Sequence, residues 1–188
     1  MIDMAVIEYD PPERFTVGTV GQPGARQFFL QATQGRRITT VTIEKAQVSA
    51  LAQRIDDLLD TVVGDEFDDA AELLIDNAPL DMPLAEDFTV AALALAWDAE
   101  RDRIIIECHA LDETYGPPQA LTHLHQEPDP DEDPTQLVLR IVISAATARA
   151  FAHRAHNVVA AGRPTCPFCG EPLNPQGHMC PRANGFKR

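Results

Sequence analysis

The stretch TIEKAQVSALAQRI at 42 to 55 returns one hundred residues later, without a gap, as VISAATARAFAHRA at 142 to 155. Identities fall at Ile43/Ile143, Ala46/Ala146, Ala50/Ala150, Ala52/Ala152 and Arg54/Arg154. Three of the five are alanines, so chance periodicity in an alanine-rich chain is the competing explanation. Register is the stronger argument. Val48, Leu51, Ala52, Ile55, Leu58 and Leu59 follow the three-and-four spacing that lines one helix face, and they map onto Ala148, Phe151, Ala152, Ala155, Val158 and Val159. Gly64 stops the first helix, while Gln47, Gln53, Asp56, Asp57 and Asp60 are expected to face water.

The residues ahead of each helix read as strands. A strand over Ala5 to Tyr9 opens the chain, a hairpin from Phe15 to Gln31 turns at GQPG, and a strand from Arg36 to Ile43 follows TQG. In the second half, FTV at 15 to 17 recurs at 88 to 90, and strands Phe88 to Trp97 and Arg103 to Ala110 turn at DAERD. Each half is then strand, strand, strand, helix. Each has one apolar sheet face and one helix stripe to bury, which predicts an α+β fold of two related halves, 15–62 and 88–160, packed with pseudo-twofold symmetry. An acidic linker at 64–87 joins them, with a short helix around Asp68 to Ile75. The halves differ in one connection. ATQGR in the first is replaced by residues 112–135 in the second, a loop long enough to be functional or disordered, and its EPDPDEDP portion has the composition of a solvated segment.

Charge divides the chain again. Net charge is −14, yet residues 161 to 188 hold Arg163, Arg182, Lys187 and Arg188 against Glu171, leaving +3 on the tail and −17 on residues 1 to 160. A body this acidic repels phosphate backbones, so nucleic acid binding is not expected of residues 1–162; the basic tail, 163–188, leaves it open. No apolar run approaches the roughly 18 residues that span a bilayer, and MIDMAVIEYD carries acids where a signal peptide carries bases. No membrane association is expected, and the chain reads as cytoplasmic.

CPFCGEPLNPQGHMC, residues 166 to 180, gathers three of the four cysteines. Cys166, Cys169, His178 and Cys180 form a C-x-x-C, H-x-C set of thiolates and imidazole that suits a closed tetrahedral Zn2+ site, structural because no coordination position is left for substrate. The tail has only Phe168, Leu173, Met179 and Phe186 as bulky apolar groups, so the metal would supply much of its folding energy. A redox dithiol is the rival. It would need Cys166 at a helix N-terminus, which Gly170, Pro172 and Pro175 oppose.

Elsewhere the chemistry is thinner. His123 and His125 flank Leu124 and would share one face of an extended segment; with His109 and nearby acids they form a candidate second metal or catalytic site, against the plainer reading of exposed loop histidines. Cys108 falls on the side of Ile104 and Ile106, hence in the core. Asp129, Asp131 and Asp133 lack the glycine and terminal glutamate of a calcium loop. No P-loop, nucleophile-elbow or dinucleotide-binding fingerprint is present.

Three stretches together, DPPERF at 10 to 15, DNAPLD at 76 to 81 and CPFCGEPLNPQGHMCPRANG at 166 to 185, resemble an uncharacterised actinobacterial domain-of-unknown-function family along the full length of the chain. The resemblance implies an accessory role beside kinase-like and histidine-phosphatase-fold proteins and places Cys166, Cys169, His178 and Cys180 on the family's cysteine and histidine pattern. It implies no catalytic residue. The expected function is that of a binding or adaptor protein with a protein partner and a structural zinc tail; the competing class is an enzyme with its site between the halves near 112–135.

Overall fold

The computed structural model describes residues 4–110, 136–162, 166–169 and 180. Strands β1 (Met4–Tyr9), β2 (Arg14–Val20), β3 (Gln27–Gln34) and β4 (Arg37–Ile43) lead into helices α1 (Lys45–Val62) and α2 (Asp68–Glu72). Strands β5 (Glu86–Asp98), β6 (Arg103–Ala110) and β7 (Gln136–Ser144) lead into α3 (Ala145–Ala160). The mixed α+β architecture and the strand, strand, strand, helix order of both halves therefore match the sequence reading. So do the buried stripes: Val48, Leu51, Ala52, Ile55 and Leu59 on α1, and Ala148, Phe151, Ala152 and Ala155 on α3.

All seven strands form one sheet, in the order β1-β7-β6-β5-β4-β3-β2. Neighbours pair antiparallel except β4 with β5 and β1 with β7. The halves follow one another along the sheet, β2-β3-β4 and then β5-β6-β7, with β4 and β5 running in the same direction. The reason lies in the connection. After β4 the chain returns through α1, α2 and residues 73–85 to the middle of β4, where Glu86 pairs with Thr40, so β5 begins beside it and runs parallel to it.

The sheet cannot be flat. Strands β1 and β2 lie at its opposite edges, yet only residues 10–13 join them. Seven flat strands at about 4.8 Å spacing would separate those edges by roughly 29 Å, and five Cα steps span at most about 18 Å. The sheet curls accordingly toward its helix-covered face: the Tyr9 hydroxyl meets Thr39 Oγ1 at 2.9 Å, and Arg37 donates to the Glu8 carbonyl at 3.1 Å while lying over the Tyr9 ring. The core runs under both helices, including Tyr9, Val17, Leu30, Ile55, Ile104, Ile106, Leu139, Ile141 and Phe151.

Each helix is set by local signals. α1 starts with a capping box, in which the Glu44 side chain accepts from the Gln47 N–H and the Gln47 side chain accepts from the Glu44 N–H, and it ends at Gly64, whose φ of 61° lets its N–H reach the Leu59 carbonyl. α3 starts on Ser144, whose hydroxyl accepts from the Thr147 N–H. Two polar α1 residues depart from the solvent-facing expectation. Gln47 also donates to the carbonyls of Val90 and Ala91, and Asp56 bonds His156 of α3 at 2.8 Å.

Candidate functional site

The cysteine cluster is the site that the sequence singles out. Pro167 and Phe168 lie in a turn between Cys166 and Cys169, and the chain returns at Cys180. The three sulfurs lie within 4.8 Å of one another, and Cys166 Sγ and Cys180 Sγ are 3.7 Å apart. Two thiolates on one tetrahedral zinc, each about 2.3 Å from the metal, stand about 3.8 Å apart, so the spacing fits a metal clamp. Cys166 and Cys180 are buried, Cys169 is half-buried and Phe168 is exposed. Burial alone would push the Cys166 thiol up. Backbone hydrogen bonds from Phe168 and Cys169 and contacts with the Cys169 and Cys180 thiols outweigh it, so the thiol sits below its ordinary pKa. Such N–H groups aimed at sulfur favour the thiolate that a metal needs. His178, the expected fourth ligand, lies outside the described residues.

Of the histidine candidates, His109 alone falls among the described residues. His109 lies on the sheet face away from the helices, 3.4 Å from Glu107; His123 and His125 lie outside the described residues, as does the loop 112–135. Cys108 is fully buried, as expected, and burial, with a smaller contribution from Glu107, pushes its thiol up to about 12. The four cysteines should therefore separate in a thiol titration. In native protein at pH 8 under a strong chelator, a chromogenic disulfide reagent should modify Cys166, Cys169 and Cys180 within minutes, and Cys108 only after denaturant is added.

A second constellation escaped the sequence reading. The segment 76–81, DNAPLD, passes around the β2 edge from the helix side to the opposite face of the sheet, held by two arginines. From α3, Arg154 Nε donates to the Val17 carbonyl at 2.7 Å, and its other nitrogens donate to the carbonyls of Asp76 and, at 2.8 Å, Ala78. From β2, Arg14 bonds Asp76 at 2.7 Å, Asp81 at 2.9 Å and the Pro79 carbonyl at 2.8 Å. Gln31 then exchanges both of its amide functions with the backbone of Asp81, and Leu80 sits over Gly18, where any Cβ would meet it at 2.6 Å. DPPERF and DNAPLD are thus two halves of one clasp. The only signal in the sequence was their shared appearance in the resemblance. Burial raises the Asp76 pKa, but the hydrogen bonds from Arg14 and Ala78 and the charges of Arg14 and Arg154 outweigh it and hold the carboxyl below its usual range.

Open cavities lie among the described residues, and two of them bear on function. One, of about 450 Å³, lies on the sheet face opposite the helices over Ala94, Ala96, Ile105 and Val142, and its arginines are already paired, Arg101 with Asp10 and Arg140 with Glu107 and Glu8. The other, of about 480 Å³, lies where α3 ends against the β2–β3 turn and the start of α1, and includes Arg26, Glu44 and Lys45. Among the described residues no helix is long and apolar enough to cross a membrane.

A family model described as "Protein of unknown function (DUF3090)" matches residues 7–180. No curated protein and no solved structure matches the chain.

Proposed function

The chain belongs to the DUF3090 family of proteins of unknown function, and from that premise we propose that it is a zinc-binding adaptor acting in the cytoplasm. In this reading Cys166, Cys169, His178 and Cys180 hold one structural Zn2+, which shapes a basic tail for a protein partner. The observation that carries it is the convergence of three thiols within 4.8 Å, two of them buried, on a tail too poor in apolar residues to fold around a core of its own. Zinc is favoured over other metals by soft thiolate donors joined by an imidazole. The two halves are read as a duplicated unit, repeated along the sheet. An enzyme is the weaker reading because the arginines lining the cavity over Ala94 and Ala96 are already neutralised by acids, leaving no convergent unpaired group among its described lining residues.

Purified protein should carry one zinc per chain by elemental analysis. The Cys166→Ser variant should lose most of it and gain rapid proteolysis after Ala161, and full retention of metal in that variant would refute the assignment.

The tail should also be separable. The core cluster draws its buried members from Tyr9 to Ala155, so a chain ending at Gly162 should keep its cooperative unfolding transition while losing partner capture in pull-downs from the native host. A truncated chain that is unfolded by circular dichroism, or that captures the same proteins as the full chain, would overturn this division of roles.

A further inference from the structure

Residues 88 to 97, FTVAALALAW, contain neither a charge nor a proline in a chain that is 23% charged. They belong to β5, the longest of the described strands, and β5 outruns its neighbour. Its pairing with β4 covers Glu86, Phe88 and Thr89, and β4 ends at Ile43. Gln47 takes over the next carbonyls, those of Val90 and Ala91. From Ala92 to Trp97 the other side of β5 pairs in register with β6, from His109 back to Ile104. Among the described residues, nothing pairs with the β4-facing side of this stretch. Ala92, Ala94 and Ala96 are exposed on one sheet face, and Leu93, Leu95 and Trp97 are half-buried on the other.

An open, apolar strand edge is a template for another strand, and natural proteins usually blunt one with lysine, proline or a bulge. None of these protects Leu93 to Trp97; the register shift in β5 lies before them, between Val90 and Ala92. We infer that the open edge of β5 pairs antiparallel with the same edge of a second copy of this chain, joining two sheets into one across a twofold axis.

The sequence of the edge selects that occupant. In an antiparallel pair centred on Leu95, Leu95 opposes itself, Leu93 opposes Trp97 of the second copy and Ala94 opposes its Ala96, so apolar side chains meet on both faces. Asp98 opposes Ala92 rather than another acid. Two bodies of net charge −14 repel, and a charge-free strand is a line along which they can meet without opposing like charges. Added salt therefore strengthens the pairing by screening the remaining repulsion.

The test is sedimentation velocity of the full chain from about 1 to 300 μM, at low and high salt. A monomer–dimer equilibrium is expected, shifted toward dimer by salt. Replacing both Ala94→Lys and Ala96→Lys sets lysine opposite lysine and should weaken the dimer at least tenfold, with an unchanged circular dichroism spectrum because both positions are exposed. Ala94→Glu with Ala96→Glu should behave likewise, and an equimolar mixture of the two variants should restore a heterodimer. In the wild type, amides from Ala92 to Trp97 should exchange more slowly at high than at low concentration. A wild-type chain that stays monomeric throughout, a dimer indifferent to the lysine pair, or a mixture no tighter than its components would each overturn the inference. So would β5 protection that appears only with an unrelated protein.

Discussion

Replacing Arg154 with alanine is expected to cost roughly 3–5 kcal/mol of unfolding free energy, the range for breaking a buried charged network. The side chain comes from α3, is nearly buried, and donates to the carbonyls of Val17, Asp76 and Ala78. Its removal takes a donor from the edge-strand carbonyl of Val17 and from the Asp76 carbonyl, leaves the Ala78 carbonyl with its longer bond from Arg14 alone, and takes one of two cations from Asp76. Lysine should recover less than half of the loss, because one ammonium cannot reproduce the planar fork that reaches all three acceptors. Urea unfolding of the two variants measures both effects; a loss below about 1 kcal/mol in Arg154→Ala would show that the clasp is ornamental. Acid should act on the same clasp. The Asp76 carboxyl is held below its usual value of 3.8, so its contribution is fully present above about pH 4 and disappears as pH falls through the lowered folded value.

The second large effect is expected at Phe151→Ala, again roughly 3–5 kcal/mol. Phe151 is 4% exposed, and its ring stacks on Phe15 of β2 with centroids 4.5 Å apart and planes 18° from parallel. Truncation opens a cavity between α3 and an edge strand that has a neighbour on only one side, so β2 loses the apolar contact that holds it to the helix. Phe151→Leu should cost far less, since most of the volume remains. Phe151 and Arg154 lie one turn apart and anchor the same strand, so the double variant should lose less than the sum of the single losses. Strict additivity in urea would indicate that the two anchors act on separate parts of the fold.

The aligned arginines show where sequence reading stops. Arg54 and Arg154 are identical in the recurrence, yet Arg54 is exposed on α1 and Arg154 is buried against β2. Helical periodicity assigns both a place on the helix and cannot tell which of the two has an edge strand and a crossing segment within reach. The same limit hid the clasp, whose members Arg14 and Asp76 are 62 residues apart. Helical patterning alone makes Gln47 solvent-facing, as polar residues on a helix usually are; the stagger between β4 and β5 gives it two carbonyls to satisfy instead. The cysteines were legible for the opposite reason: the spacing of C-x-x-C fixes a local turn, and a return at Cys180 needs few residues to bring its sulfur within 3.7 Å of Cys166.

By itself the sequence determined the elements, because the period of apolar residues, the glycine and capping signals and the tight turns act within a few residues of one another. It also determined that both helices bury the same stripe and that Cys108 is core. Only the tertiary structure decided how the halves meet. Sheet order, the curl forced by residues 10–13, the clasp around the β2 edge and the open edge of β5 all follow from which distant strands pair and in what register. Such pairing reflects the closure of long chain segments against a shared core, and no local pattern encodes it.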